Sequence, residues 1–262
     1  MKLIERNPQF HVYDDVLSVE DFRAVWHYIQ LESYVPVHHD EWAKVWRISD
    51  GIPLGATAAV FLEKPKSPAS GVTAGGEAKR GRGLSRAYPT HTALDRVLET
   101  IVEHLDQFTE LVGERGVAFE NISARSFLYP QGTGLSWHED DVLYSGGYAF
   151  YAHPEWNSQW GGELLVADES TRSRDIESEQ IVTLVRDEGR IKLTKTRIPP
   201  FLDNARQDAV LGNVGMGRYI TPKPNRLVVI AGGNPHMINA VRSAAGDHVR
   251  CTIAGFFHCP AK

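Results

Sequence analysis

From position 122 onward the chain is cut into short runs rich in β-branched and aromatic residues, at 123–129, 148–151, 163–166, 226–230, 236–241 and 249–257, with Gly, Pro and Asn between them. Strands this short and this regularly punctuated predict a sandwich or a barrel. Ahead of them a strand is expected at 10–13 and a helix over about 18–33, entered at Ser18 and carrying Val25, Trp26, Ile29 and Leu31 at roughly helical spacing. A second helix is expected from Thr92 to about Val112, where Leu94, Val97, Leu98, Ile101, Leu105, Phe108 and Leu111 form one apolar stripe able to cross a sheet. Residues 65–88 combine Gly, Pro, Ser and basic side chains without an apolar period and predict a mobile loop. Residues 168–220 interrupt the strand series with a charged segment, Pro199-Pro200 and a Gly-dotted tail, so no separate core is expected there and the stretch is a candidate lid. Helices first, strands after and no internal repeat predict one α+β, mainly β, domain over 1–262. Its expected parts are helical support at about 1–121, a β core at about 122–258 and the lid insertion 168–220.

Composition narrows the partners. With 28 basic against 33 acidic residues and a net charge of -5, the chain offers no broad footprint for nucleic acid or an anionic membrane, so neither is expected as a partner. Cys251 and Cys259 form no CxxC pair, which argues against a disulfide framework or a cysteine-ligated zinc site and fits reduced thiols in the cytoplasm. The opening Met-Lys-Leu-Ile-Glu-Arg-Asn-Pro has no apolar core, and no window approaches the roughly 18 apolar residues of a membrane span, so secretion and insertion are disfavoured.

The chemistry is concentrated in three places. In Leu135-Ser136-Trp137-His138-Glu139-Asp140-Asp141, His138 and Asp140 sit at the spacing that points two side chains to one side of an extended backbone. His236, at the start of a later predicted strand, supplies a second imidazole. Two histidines and a carboxylate occupy one face of an octahedron and leave three positions open, as iron(II) oxygenases require; zinc hydrolases use similar ligands. A lone His-x-Asp is more often a surface accident or a hydrogen-bonded core pair, and Asp141 is a weak rival for Asp140. In 249–256, Arg250 stands in an otherwise apolar strand, where a buried charge demands an anionic partner. Its planar fork suits a carboxylate, and Thr252, on the same face, could add a hydroxyl; a structural Asp or an edge position would serve Arg250 equally well.

With these residues assembled, the chain resembles the prolyl 4-hydroxylase-like iron(II)- and 2-oxoglutarate-dependent oxygenases. The resemblance runs through Tyr129-Pro130-Gln131-Gly132-Thr133-Gly134 into His138-Glu139-Asp140, then Tyr151 to Leu164 with its Trp160-Gly161-Gly162-Glu163-Leu164 end, then Pro222 to Ile230, His236, Val241, Gly246 and Arg250. The entry Val12-Tyr13-Asp14-Asp15-Val16-Leu17-Ser18 is also similar, while 34–121 is not aligned. The resemblance implies a distorted double-stranded β-helix, a cupin-like jelly roll supported by N-terminal helices, with iron in one mouth of the barrel. It implies His138, Asp140 and His236 as iron(II) ligands, Arg250 on the distal carboxylate of 2-oxoglutarate, and Tyr129 and Thr252 as further contacts of that cosubstrate. Leu135 stands where the family often has Tyr, and the long gap from His236 to Arg250 leaves Arg242 as a rival anchor. The activity implied is a dioxygenase that hydroxylates an unactivated C–H of a small molecule or a peptidyl residue, consuming dioxygen and releasing succinate and carbon dioxide. An intact Asp140 favours hydroxylation over halogenation. The competing readings are a non-oxidative metal-dependent hydrolase or isomerase and a non-catalytic ligand-binding jelly roll.

Other residues carry two readings each. Trp137, Trp156 and Trp160 line a pocket or fill core; Arg125 meets an anionic substrate group or makes an ordinary salt bridge. His153 and His258 read as structural or surface histidines, and the basic stretch from Lys79 to Arg86 as a solvated lid.

Overall fold

The computed structural model describes residues 1–37, 50–64, 84–140, 143–168, 180–187, 190–197, 211–212, 215 and 217–260. Its N-terminal part is β1 (Lys2–Asn7), β2 (Phe10–Asp14), α1 (Val19–Leu31), β3 (Tyr34–Pro36), β4 (Leu54–Ala56), β5 (Ala58–Phe61), β6 (Leu84–Ala87), α2 (Leu94–Glu103) and α3 (Thr109–Val112). There follow β7 (Asn121–Tyr129), β8 (Leu135–His138), β9 (Tyr144–Tyr151), β10 (Leu164–Ala167), β11 (Gln180–Asp187), β12 (Arg190–Arg197), β13 (Gly217–Ile220), β14 (Leu227–Ala231), β15 (His236–Ile238) and β16 (Arg250–His258).

Two sheets face one another. The larger runs β1-β2-β14-β9-β16-β7-β4-β3, with β5 and β6 attached through β7; the smaller runs β13-β10-β15-β8. This is the double-stranded β-helix that the resemblance implies, where the strand series alone predicted a sandwich or a barrel. On the outer face of the large sheet, Val25 and Ile29 of α1 and Leu94, Val97, Leu98 and Ile101 of α2 pack against Phe150, Leu227, Val229 and Ile253. Strand alternation then turns Arg250, Thr252, Ala254 and Phe256 inward, toward the small sheet. Inside the barrel, one apolar cluster gathers Tyr151, Leu164, Val166 and Val228, and another gathers Tyr129, Leu135, Ile238 and Val241.

α1 begins where expected: the Ser18 hydroxyl accepts the Asp21 amide at 3.0 Å, an N-cap with Glu20 and Asp21 in the first turn. The second helix is not continuous. It stops at His104, passes through a 3-10 turn at Leu105–Gln107 and resumes as α3. Its apolar residues explain the break, because Leu105, Phe108 and Leu111 step by threes, the repeat of a 3-10 turn, and keeping Phe108 fully buried overrides α-helical continuity.

The first 121 residues are not purely helical support, since β1 to β6 lie there. β2 pairs with β14 and β4 with β7, so this region widens the large sheet as well as covering it. The predicted loop 65–88 ends in β6, which pairs in parallel with β5; its four residues are exposed, so the strand rests on backbone pairing and left no apolar pattern to read. Residues 65–83 of that expected loop, most of the Lys79 to Arg86 stretch with them, lie outside the described residues. Within 168–220, the charged stretch forms the hairpin β11–β12, and 217–220 belongs to the small sheet through its pairing with β10; 169–179, 188–189, 198–210, 213–214 and 216 lie outside the described residues. Among the described residues no helix is long and apolar enough to cross a membrane.

Candidate metal centre and carboxylate pocket

His138 closes β8 and His236 opens β15, and the two residues are direct partners in that antiparallel ladder. Their rings lie 4.3 Å apart between centroids. Asp140, just past the end of β8, brings Oδ1 to 3.9 Å from the Nε2 of each histidine. The three ligand atoms all fall within 4.8 Å of one another. Each imidazole is oriented from behind: the Nδ1 of His138 lies 2.8 Å from the Ser136 carbonyl and that of His236 lies 2.8 Å from the Asn234 carbonyl. A carbonyl only accepts, so both Nδ1 atoms carry the proton and both Nε2 lone pairs point into the space shared with Asp140. Burial, then the neighbouring His236, pushes the pKa of His138 down to about 3, against the pull of the Ser136 carbonyl, so the ring stays neutral. Two lone pairs and a carboxylate aimed at one point make a cation site in search of a cation.

Two further contacts hold this end of the barrel. Ser136, whose carbonyl orients His138, donates its hydroxyl to Asp50, and the Asp50 carbonyl accepts the Gly134 amide at 2.9 Å. Gly147 of β9 makes room for the acid: a Cβ there would stand 3.0 Å from Asp140 Oδ2. Asp141, the rival acid, lies outside the described residues.

The guanidinium is the second half of the site. Arg250 is 0% exposed, donates Nε–H to the Gly162 carbonyl and an Nη1 hydrogen to Thr252 Oγ1, both at 2.8 Å, and lies between two phenol rings. Its Cζ is 4.9 Å from the Tyr129 centroid and 5.0 Å from that of Tyr151. Gly162, at φ +71, lets the chain pass, since a Cβ would meet Arg250 Cδ at 2.9 Å. Yet Nη2 of Arg250 and the hydroxyl of Tyr151 are both buried without a hydrogen-bond partner. A buried unmet donor costs about 1–3 kcal/mol, so two side by side mark a place kept for an acceptor. Burial pushes Tyr129 up to about 12 and raises Tyr151 as well, the guanidinium opposing both, so each phenol keeps its proton and can donate it.

The sequence-derived residues are therefore sorted by the structure. His138, Asp140 and His236 converge; Arg250, Tyr129 and Thr252 form a second group, in which Thr252 serves first as an acceptor that steadies Arg250. Arg242, the rival anchor, is exposed. His153 is buried behind Arg250, its Nε2 donating to the Pro222 carbonyl at 2.6 Å, and His258 meets Ser123 Oγ at 2.8 Å; neither joins the triad. Trp156 and Trp160 pack on the Tyr129 cluster, while Trp137 alternates away from His138 on β8. Tyr151 and Asp50 were not singled out from sequence. Leu135 is buried in apolar packing.

No family model and no curated protein matches the chain. Solved structures do resemble it. A Pseudomonas putida prolyl-4-hydroxylase superposes with a TM-score of 0.54 at 12% identity, over 97% of this chain and 94% of that one. A prolyl hydroxylase from Trichoplax adhaerens, solved with a hypoxia inducible factor peptide fragment, gives 0.51 at 13%, over 97% and 84%. An oxidoreductase of the 2OG-Fe(II) oxygenase family from Burkholderia pseudomallei gives 0.51 at 9%, over 100% and 96%. These likenesses establish the fold: a double-stranded β-helix of the kind those oxygenases share.

Proposed function

We propose that the chain is an iron(II)- and 2-oxoglutarate-dependent dioxygenase that hydroxylates an unactivated C–H bond of a small molecule or a peptidyl residue. The observation that carries this reading is the pairing of the two half-sites: three convergent metal-type ligands, and within the same barrel a buried Arg250 Nη2 and a Tyr151 hydroxyl that have no hydrogen-bond partner. The donor set fits iron(II), being two imidazoles and a carboxylate whose ligand atoms converge. The pocket around Arg250 fits the distal carboxylate of 2-oxoglutarate, which would pair with Arg250 Nη2 and take a hydrogen bond from the Tyr151 hydroxyl, while Tyr129 and Thr252 shape the wall.

When bound, iron, 2-oxoglutarate and dioxygen supply the oxidising chemistry, with succinate and carbon dioxide as co-products. The chain's own residues do the rest. His138, Asp140 and His236 hold the metal from one side. Arg250 and Tyr151 fix the cosubstrate's far end in a dry pocket, where a charge-assisted contact is strongest. Asp50, Ser136 and the Asn234 carbonyl keep the imidazoles aimed. A hydrolase or isomerase needs the ligands but gives no work to the unmet Nη2 of Arg250. We place this activity in one domain and, with Cys251 and Cys259 as thiols, in a reducing cytoplasm.

The test is anaerobic titration with iron(II), alone and with 2-oxoglutarate. A weak visible charge-transfer band is expected only when both are present. A metal that binds while 2-oxoglutarate leaves no trace, in spectrum or in calorimetry, defeats the oxygenase reading and returns the hydrolase.

A further inference from the structure

The two imidazoles of the metal centre are aimed by one arrangement used twice. Two residues before His138, Ser136 gives its carbonyl to the ring Nδ1 and sends its side chain to Asp50, 86 positions away in the chain. Two residues before His236, Asn234 gives its carbonyl to the ring Nδ1, and its side chain too is held by a distant residue, Gln9, 225 positions away. Gln9 lies in the turn between β1 and β2, at one edge of the large sheet, whereas His236 belongs to the small sheet.

The contacts around Gln9 form a closed set. Its Nε2 donates to the Ala167 carbonyl at 2.8 Å and to Asn234 Oδ1 at 3.2 Å, and Asn234 Nδ2 donates to the Ala231 carbonyl at 2.8 Å. Carbonyls only accept, so the orientation of both amides is fixed and both hydrogens of the Gln9 amide are in use. The main chain repeats the bridge: the Gln9 carbonyl accepts the Ala231 amide, and the Pro235 carbonyl accepts the Ala167 amide, both at 2.9 Å. Gln9 is 6% and Asn234 1% exposed, so water does not compete for these groups. The turn from β14 into β15 runs through Gly233, at φ +72, and the Asn234 side chain closes it back onto Ala231. The Asn234–Pro235 peptide, whose oxygen aims His236, is therefore pinned on one side by the Asn234 side chain and on the other by the Pro235 carbonyl. Gln9 touches both anchors, Asn234 directly and Pro235 by way of Ala167.

We propose that Gln9 is a positioning residue for the metal ligand His236, acting through Asn234 and Ala167, so that the grip of the small sheet on its ion is set in part from the β1–β2 turn. This rests on the ligand set of the proposed function, not on its cosubstrate or its reaction. Removing the Gln9 amide leaves the Ala167 carbonyl and Asn234 Oδ1 without their donor in a dry place. The turn relieves this by rotating, and the rotation swings His236 Nε2 off the point it shares with His138 and Asp140. A staple that served the fold alone would have no reason to recur behind the other imidazole; here each ring has its own carbonyl and each carbonyl its own remote anchor.

The test needs no turnover. Wild type, Gln9→Met, Asn234→Ala and the double variant are compared by Mn(II) calorimetry and, loaded with Zn(II), by the hydrogen exchange of the two imidazole Nδ1 protons in nuclear magnetic resonance spectra. Met keeps the length of Gln9 and removes its amide. Gln9→Met should bind Mn(II) about fivefold more weakly and Asn234→Ala at least about tenfold, as expected of groups behind a ligand. In both, the His236 Nδ1 proton should exchange at least about tenfold faster while that of His138 stays within about twofold. General loosening of the fold would speed both protons. Asp50→Asn is the mirror control and should speed the His138 proton while sparing that of His236. In the double variant the Mn(II) losses should fall short of multiplying, because both changes act on one turn. Gln9→Met decides alone where Asn234→Ala yields no folded protein. The proposal is overturned if Gln9→Met binds Mn(II) within about twofold of wild type, if its two Nδ1 protons speed up together, if the losses in the double variant multiply, or if Gln9→Met itself fails to fold. A wild type that binds neither Mn(II) nor Zn(II) removes the metal centre, and the proposed function and this inference fall together. The expected pattern in a protein that ignores 2-oxoglutarate supports Gln9 while removing the oxygenase reading.

Discussion

At Arg250 the inside of the barrel is dry, with the guanidinium clasped between two phenol rings and tied to Gly162 and Thr252; at Ala254, on the same strand, it is only half-buried, beside the half-buried Ala149 of β9. The contrast separates two tasks that one cavity has to perform. On the proposed function, a cosubstrate that is always the same would meet a rigid pocket whose donors already wait, and such donors gain strength from low dielectric. A substrate that must enter, react and leave would meet the less tightly packed stretch. Tight packing at one end and openness at the other are therefore not a difference in quality of folding but a division of labour along a single strand.

The comparison can be broken most decisively at the dry end. Arg250→Gln removes the buried charge of that end and should raise the 2-oxoglutarate concentration needed for half-maximal succinate formation by about a hundredfold, with far less change at saturation. A variant that instead lost maximal rate at unchanged requirement would mean that the pocket does not read the cosubstrate. Asp50→Asn tests the support of the metal side. It weakens the acceptor of the Ser136 hydroxyl and is expected to loosen Mn(II) by about tenfold in equilibrium dialysis, the range for contacts one step behind a ligand, while leaving the apparent affinity of Arg250 for 2-oxoglutarate in metal-saturated protein unchanged. Tyr151→Phe sharpens the picture further: its hydroxyl has no partner in the ligand-free protein, so thermal melting without ligand should not fall, whereas the stabilisation given by 2-oxoglutarate should shrink by about 1 kcal/mol.

The smallest effect separates the two ends by pH. His153, behind Arg250, is pushed down to about 4 by burial, with the Pro222 carbonyl pulling up and Arg250 pushing down; His258, the last residue of β16, is pushed down to about 4 by burial alone. Both folded pKa values lie below the ordinary value near 6.5, so the unfolded chain takes up more protons and stability present at neutral pH is lost as pH falls from about 6.5 toward 4. Each histidine adds a slope of at most about 1.4 kcal/mol per pH unit, less for the partly exposed His258, measurable from urea midpoints. Arg250→Gln should flatten the His153 contribution and leave that of His258 alone, an outcome read by comparing the slopes of Arg250→Gln with and without His258→Gln.

What could be read from the sequence follows the range of the interactions involved. His138 and Asp140 are neighbours in the chain, and alternation alone puts them on one side; Arg250 announces itself as a charge in an apolar strand. α1 was legible because its cap and its apolar spacing are local. Tyr151 was not, because a tyrosine in a β-rich run looks the same whether its hydroxyl is satisfied or waiting, and only the register with Thr252 brings it to the guanidinium. Asp50 was hidden for the same reason: it acts on β8 from a segment with no pattern of its own. The break at His104 was written in the residues as a change of step from four to three, but a continuous apolar stripe masks a change of helix type. β6 carries no apolar signal because its side chains face water.

The cross-strand partnership of His138 and His236 has a mechanical meaning. An ion gripped by both would rivet two distant stretches of chain at a shared rung, and a slide of either strand by one position would swing its ring to the opposite side and pull the rivet out. Alignment of the small sheet and retention of the ion are then one property, so that chelation should soften these two strands first and reloading should draw them back into step.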